Sequence, residues 1–189
     1  VHSGEPGNQN FLRPDFWKPM IDKVGGAIVE CNTAYDGGRN TTRAHKITME
    51  KHGWVNAAQV DILDETDDME LAIPGGKVIQ KNFVGAHLAD YNSLLVLSHF
   101  KGHPMGGFGG ALKNISIGIA SSRGKQYIHG AGDMDKFWDS DHDSFLESMA
   151  DACQAVIAHV GGENIVYINV ANRLSVDCDC NGNPAQPDM

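Results

Sequence analysis

The sequence predicts an α/β fold with a mixed, mostly parallel sheet flanked by helices, in a Rossmann-like arrangement. Three observations support this prediction: a strand–loop–helix order early in the chain, a strongly apolar run at residues 94–97, and an amphipathic helix followed directly by another apolar run. Strands that alternate with helices are typical of βαβ units. We expect a single domain over residues 1–189, cut at both ends, since the chain opens without Met and stops after a turn-rich stretch.

The first half of the chain contains both strand and helix signals. Short apolar runs next to Gly or Pro are typical of buried strands, whereas a polar capping residue before a longer segment that ends at Gly is typical of a helix. The predicted elements are a strand at 24–31, a helix from a cap at Asn40 or Thr41 to about His52, a strand at 57–63, and a hairpin at 70–83 that turns at 74–76.

The second half contains the most apolar strand, at 93–97, which delivers Ser98 and His99 to its carboxyl end. Open α/β sheets bind ligands beyond the carboxyl ends of their strands, so the next loop is where a site is expected. Ser144 and Glu147 match a capping box that opens an amphipathic helix ending at Gly161. The apolar face of this helix consists of Phe145, Met149, Ala152, Val156 and Val160. The other predicted elements are a short helix at 86–91, a strand at 165–170 and a loop at 177–187.

Composition excludes several classes of partner. The formal net charge is −9 and no cluster of Lys and Arg is present, which argues against binding to nucleic acid. The apolar runs are far shorter than the roughly 20 residues of a membrane span, so no membrane crossing is expected. Four cysteines, unevenly spread, are too few for a secreted disulfide framework and favour a reducing, cytoplasmic location.

The segment 98–113 is the strongest functional candidate, because it packs five glycines, two histidines and two lysines into sixteen positions. Glycines allow close approach of the backbone, and free N–H groups before a helix favour an anion. The spacing is neither that of a Walker loop nor that of a dinucleotide fold. The alternative is a purely structural glycine turn. The predicted anion-binding residues are Gly106, Gly107, Gly109, Gly110 and Lys113.

Histidines and thiols suggest a transition-metal site. His99 and His103 are four residues apart, yet the Gly and Pro around them indicate a loop, so either could be a ligand, an acid/base or a local cap. His129 is a candidate third imidazole, although a surface position is the simpler interpretation. Cys178 and Cys180 flank an aspartate in the late loop, where they are either metal or redox ligands or merely reduced thiols.

Arg43, in the first turns of the early helix, can hold a carboxylate through both guanidinium nitrogens. The alternative is an ordinary ion pair with a nearby acidic residue. Lys113 can bind an anion or act covalently. Together these residues predict a small anionic ligand.

Six motifs together resemble the domain of unknown function 362 family of uncharacterised iron-sulfur-centre proteins. They are HSGEPGN at 2–8, FLRP at 11–14, NTAYDGGR at 32–39, SHFKGH at 98–103, GFGGALKN at 107–114 and CDC at 178–180. The resemblance implies a ferredoxin-like insert with C-x-x-C runs after the segment at 124–129. Residues 130–143 contain no cysteine, so we expect no ferredoxin-type iron-sulfur cluster on this chain. Family members also continue beyond the Pro-Asp at 187–188, which implies truncation.

A fainter, local resemblance links His103, Lys113 and His129 to three functional positions of nickel-pincer lactate racemases. It implies that Lys113 tethers a cofactor, that His129 ligates its metal, and that His103 exchanges the substrate proton. It also implies that Arg43, in the sequence Thr-Thr-Arg, holds the substrate.

The function expected from these observations is a metal- or cofactor-dependent enzyme, either an isomerase or an oxidoreductase, acting on a small carboxylate-like anion. His103 and Lys113 are the candidate catalytic residues, and His99, His129, Cys178 and Cys180 are the candidate metal ligands. The main alternative is a non-catalytic module that binds an anion or a metal or passes electrons to a partner. A third alternative treats the glycines as packing devices and the histidines as incidental.

Overall fold

The computed structural model describes residues 1–176, and this part of the chain is a mixed α/β structure. No helix in it has the length and apolar character needed to cross a bilayer. Short 3₁₀ turns connect several elements, and a π-helical turn, Asn114–Gly118, follows the third helix directly. The α-helices are α1 (Pro14–Val24), α2 (Thr42–Lys51), α3 (Ala111–Lys113), α4 (Ser122–His129) and α5 (His142–Val160).

The strands of the described part form two parallel and two antiparallel pairs. β1 with β2 and β5 with β8 are parallel, whereas β3 with β4 and β6 with β7 are antiparallel. The predicted mixture of parallel and antiparallel strands is therefore present, but as separate two-stranded ladders. The strands are β1 (Ile28–Glu30), β2 (Val60–Ile62), β3 (Asp68–Ala72), β4 (Lys81–Gly85), β5 (Leu94–His99), β6 (Lys101–His103), β7 (Gly107–Gly109) and β8 (Ile165–Val170).

Helix α2 is confirmed with the predicted ends. The Thr41 hydroxyl accepts a hydrogen bond from the backbone N–H of Ala44 at 3.3 Å, so Thr41 is the cap. After His52, Gly53 takes a φ of +84°, a left-handed conformation that glycine adopts without strain. The strand, loop and helix expected in this region are therefore all present.

Helix α5 begins earlier than predicted. The capping residue is Asp141, whose carboxylate accepts from the N–H of Ser144 at 3.0 Å, so the proposed capping box at Ser144 is wrong by three positions. Asp and Ser are both favoured capping residues, so the sequence alone does not distinguish a cap at Asp141 from one at Ser144. The apolar face of α5 is buried as expected, and the helix ends at Gly161.

Two helices were not expected from the sequence. Residue Val24, assigned to a strand at 24–31, ends α1, and only Ile28–Glu30 is extended. Residues 122–129, for which the sequence predicts no element, form α4, and the Ser121 hydroxyl caps this helix by accepting from the N–H of Gly124 at 3.0 Å. Helix α4 carries two residues of the cavity described below.

Within residues 1–176, the core consists of three apolar clusters that hold the parallel ladders and α5 together. One lies under β5, β8 and the C-terminal half of α5, and a second joins α1, α2 and the first parallel ladder. The third packs the N-terminal half of α5 against α4 and the hairpin of β3 and β4. These clusters fix the carboxyl ends of β1 and β5 relative to α4, and the candidate site lies between them.

Candidate functional site

A cavity of about 190 Å³ opens at the carboxyl end of β1, beside the segment that follows β5. Ligands of open α/β proteins bind at this end of the strands. The lining comes from the end of β1 and its following loop, from β6, from α3 and from α4. It includes Glu5, Glu30, Cys31, Tyr35, Arg39, Lys101, His103, Lys113, Asn114, Lys125, His129 and Trp138.

His103 lies at the end of β6, and the backbone determines which of its nitrogens carries the proton. Its Nδ1 accepts hydrogen bonds from the N–H groups of Gly106 at 3.0 Å and Met105 at 3.3 Å. A backbone N–H can only donate, so Nδ1 presents its lone pair and the proton of the neutral ring is on Nε2. His103 therefore offers an N–H donor at Nε2.

His129 is the last residue of α4 and has the opposite arrangement. Its Nδ1 lies 2.7 Å from the backbone carbonyl oxygen of Lys125, which can only accept, so Nδ1 donates and Nε2 carries the lone pair. Burial lowers the pKa of His129 to about 4, and the charges of Lys113 and Lys125 act in the same direction, while the bond to the carbonyl opposes them. The ring is neutral at physiological pH, so Nε2 can accept a proton or bind a metal.

Ring contacts fix the orientation of His129. Its imidazole stacks on Phe145 with centroids 4.9 Å apart and an interplanar angle of 27°, and Phe137 lies at 5.1 Å. These aromatic neighbours remove the ring from water, which is the main cause of its lowered pKa.

Basic side chains outnumber acidic ones in the described lining. In a chain with a formal net charge of −9, this local excess of basic groups is the opposite of the overall balance and is typical of a site for an anion. The basic groups are Lys101, Lys113, Lys125 and Arg39, and the acidic groups are Glu5 and Glu30.

The carboxylate of Glu30 is the centre of a buried polar network. It accepts from the backbone N–H and hydroxyl of Ser3 at 2.5 and 2.8 Å, from His45 Nε2 at 3.0 Å and from Arg39 Nη1 at 3.1 Å. Burial alone would raise the pKa of Glu30, but the hydrogen bond from His45 and the charge of Arg39 outweigh it and hold the pKa far below its ordinary range. The network ties the end of β1 to α2 and to the N-terminal segment.

Arg39 extends this network to the cavity wall. Its second amino group pairs with the Glu5 carboxylate, which also accepts from the Tyr35 hydroxyl at 2.7 Å. Burial would lower the pKa of Arg39, but the charges of Glu30 and Glu5 and the hydrogen bond to Glu5 outweigh burial. The pKa of Arg39 is therefore above its ordinary value. The Nε of Arg39 is buried without a hydrogen-bond partner in residues 1–176. A buried donor of this kind is unusual in folded proteins.

The predicted glycines shape the hairpin of β6 and β7 instead of lining the cavity. Gly106 donates its N–H to His103, and Gly107 has a φ of +70°, which a side chain would strain. A Cβ on Gly109 would lie 3.4 Å from the Lys101 side chain, and one on Gly110 only 3.1 Å from Asn169 Oδ1. These observations favour the structural alternative for the glycines, whose anion-binding role stays a prediction.

The structure brings together some of the predicted residues and not others. His103, Lys113 and His129 line one cavity. His99, at the end of β5, is not in the described lining and contacts the carbonyl of Asn172 at 2.6 Å through Nε2. Arg43 is exposed and lines a different surface depression, on α2. Cys178 and Cys180 lie outside the described residues.

Several cavity residues were not identified from the sequence. Arg39 lies at the end of the loop that follows β1. Because ligands bind beyond the carboxyl ends of strands, its position after β1 is a sequence signal that could have identified it. The position of Lys125 at the cavity could not be predicted, because the sequence analysis predicts no helix at residues 122–129. The spacing of four between Lys125 and His129 places both on one helix face, so the cap at Ser121 was the missing signal.

Within residues 1–176, no group of three or more His, Cys, Asp or Glu side chains is arranged to hold a metal ion. A bare ion needs several protein ligands. A cofactor that brings its own donor atoms would need less from the protein. The Lys113 amine and the Nε2 lone pair of His129, at one cavity, fit a cofactor of that second kind.

Comparison with known proteins gives a single result. No curated protein and no solved structure matches this chain. One family model, described as "Domain of unknown function (DUF362)", matches residues 1–189. The match spans the whole sequence, so the chain belongs to the DUF362 family.

Proposed function

We propose that this chain is a metal- or cofactor-dependent enzyme that binds a small carboxylate-like anion in the cavity and works on it through His103 and His129. The observation that carries the proposal is that the two rings adopt opposite tautomers. Nε2 is a donor in His103 and an acceptor in His129. A donor and an acceptor at one cavity are the groups that acid–base chemistry requires. Isomerisation and oxidoreduction next to a carboxylate both use such a pair.

The binding half of the proposal depends on the basic lining. Arg39 is held rigidly by two carboxylates, and its buried Nε would gain an acceptor if a carboxylate oxygen entered the cavity. Lys113 and Lys125 lie close enough to His129 to lower its pKa, so their charges reach the same space. A carboxylate there would be attracted by the positive charge of these side chains.

The donor side of His103 defines its part in the reaction. Moving its proton to Nδ1 would oppose the two backbone N–H groups that Nδ1 accepts. His103 therefore acts by donating to a substrate oxygen, and its Nε2 is the point of proton exchange.

Lys113 and His129 would hold the cofactor, the amine as its tether and the imidazole as its ligand. When bound, the cofactor supplies the redox or Lewis-acid chemistry that side chains lack. Without such a group, the Nε2 lone pair of His129 is free to act as the base.

The experiment is anaerobic purification of the full chain, followed by elemental analysis and intact-mass measurement. We expect a bound metal or an added mass that is lost in Lys113→Ala and reduced in His129→Ala. Lys51→Ala, on α2 and outside the cavity lining, is the matched control and should retain it. A metal-free, unmodified wild-type protein that Lys113→Ala leaves unchanged would contradict the cofactor-dependent proposal.

Anion binding separates an enzyme from a passive binding module. Trp138 lines the cavity and is 66% exposed, so its fluorescence should report an added carboxylate such as pyruvate. An enzyme of the proposed kind should lose binding in His103→Ala. Undiminished binding in both His103→Ala and His129→Ala would indicate a non-catalytic module.

A further inference from the structure

Lys125 is a lysine in an unusual position. It lies on α4, lines the cavity and is only 7% exposed. Its Nζ donates a short hydrogen bond to the backbone carbonyl of Ala120. No carboxylate in residues 1–176 is within ion-pair distance of Nζ, whereas most buried lysines are paired.

The neighbouring thiol does not supply a counter-ion. Burial raises the pKa of Cys31 to about 12, so the thiol next to Lys125 stays protonated and neutral. The charges of Glu30 and Asp64 oppose the effect of burial on Lys125, but hydrogen bonds from Arg39, His45 and the N–H groups of residues 32 and 122 already engage both carboxylates. Burial is the largest effect and lowers the pKa of Lys125, and the charge of Arg39 adds to it.

A buried amine with no carboxylate partner, beside another cation, is a better nucleophile than an exposed amine, because burial disfavours its protonated form. The basic lining would hold a carboxylate, and the Nε2–H of His103 would hold a second oxygen. A small molecule with a carboxylate next to a carbonyl matches these three features. We propose that Lys125 forms an imine with a small 2-oxo acid bound in the cavity, an inference that rests on the proposed anion site.

The chemistry needs no further reactant. The Nζ lone pair attacks the carbonyl carbon, a C–N bond forms, and the C=O π pair moves to oxygen, which takes a proton from the nitrogen. The resulting carbinolamine then takes a proton from water at its hydroxyl and loses a water molecule, while the nitrogen lone pair forms the C=N bond. The products are the iminium ion, the departing water molecule and the hydroxide ion left by the water that gave the proton. Such an ion is an electron sink next to the carboxylate-bearing carbon.

Reductive trapping tests this proposal on the wild-type chain. The protein is incubated with pyruvate and cyanoborohydride, digested and mapped by mass spectrometry. Hydride adds to the iminium carbon, so the modified peptide gains the mass of the acid less one oxygen atom. We expect the adduct on Lys125, forming at least about tenfold faster than on the exposed Lys18, because the cavity would hold the carbonyl compound next to the Lys125 amine.

Controls separate recognition from general amine reactivity. Acetone, which lacks the carboxylate, should label Lys125 much more slowly than pyruvate does, and inorganic phosphate should slow the reaction with pyruvate. Lys125→Arg keeps a long basic side chain and removes the nucleophilic amine, and should abolish the fast adduct. Labelling of Lys101 or Lys113 instead of Lys125, or equal rates at Lys125 and Lys18, would overturn the proposal.

The failure of this inference can be told from failure of the proposed function. If pyruvate changes Trp138 fluorescence but no adduct forms on Lys125, the anion site stands and the imine is refuted. If pyruvate neither binds nor becomes trapped, both are refuted. Because mapping uses the wild-type protein, the result does not depend on whether Lys125→Arg folds.

Discussion

Removing the Glu30 carboxylate should destabilise the protein far more than removing an exposed one. Glu30 is 6% exposed and accepts four hydrogen bonds, from Ser3, His45 and Arg39. Glu30→Ala would leave the Arg39 guanidinium and the His45 ring buried with fewer acceptors. Breaking a buried ion pair by deleting one partner costs about 3–5 kcal/mol of unfolding free energy.

The assay is urea denaturation followed by tryptophan fluorescence. Trp17 and Trp54 are buried, and Trp54 donates to the carbonyl of Ser3 at 3.1 Å, so the signal reports the region of the network. The matched control is Glu65→Ala, which removes an exposed ion pair with Lys46 and should cost no more than about 1 kcal/mol. If Glu30→Ala costs as little as Glu65→Ala, the network does not stabilise the fold and the reasoning is refuted.

Acid titration provides an independent measure of the same network. The pKa of Glu30 is lowered in the folded state from an ordinary value of 4.5, so between these values the unfolded chain binds the extra proton. The stability from Glu30 is therefore fully present above pH 4.5 and is lost as the pH falls below it. Glu30→Gln should flatten this part of the stability curve, and an unchanged slope would contradict the assignment.

Three further predictions test other parts of the structure. The NMR signal of His129, assigned with His129→Gln, should titrate near pH 4, and a midpoint near 6.5 would mean that the ring is solvated. Asp151→Ala should cost about 2–5 kcal/mol by urea denaturation, because it strips the acceptor from two backbone N–H groups at 78–79, whereas Asp151→Asn should cost less. Gly124→Ala would place a Cβ 1.9 Å from a carbonyl oxygen of β4 and should lower the melting temperature markedly. The control Gly26→Ala makes only an ordinary contact with the Val24 side chain at 3.7 Å and should be close to neutral.

The parts of the fold that could be predicted are those encoded locally. Helix α2 has its cap and its terminating glycine within the segment itself, and the hairpin of β3 and β4 has its turn residues. The parallel pairing of β5 with β8 joins residues 94–99 to 165–170, and no local pattern encodes that register. Helix α1 was not predicted because Pro14, which occupies its first turn, is equally common in loops and turns. Proline therefore does not by itself indicate the start of a helix.

The candidate site divides in the same way. His103 and Lys113 lie in a segment whose composition attracts notice, and the carboxyl end of β5 indicated where to look. Lys125 and Arg39 are ordinary residues in sequence terms, and only burial among non-local neighbours makes them unusual. The high glycine content of residues 98–113 predicted an anion-binding loop, although glycines also allow close packing of the backbone. Gly102 is an example, because a Cβ there would lie 1.7 Å from the Val176 carbonyl oxygen.

The backbone partner of each histidine decides its chemistry, and this is the information that a sequence omits. His103 and His129 are the same residue type in the same cavity, yet one receives two N–H groups on Nδ1 and the other faces a carbonyl. The first ring is fixed as a donor at Nε2 and the second as an acceptor. A hairpin turn and the last turn of a helix produce this difference, so the backbone of the β6–β7 hairpin and of helix α4 sets which nitrogen of each ring can donate.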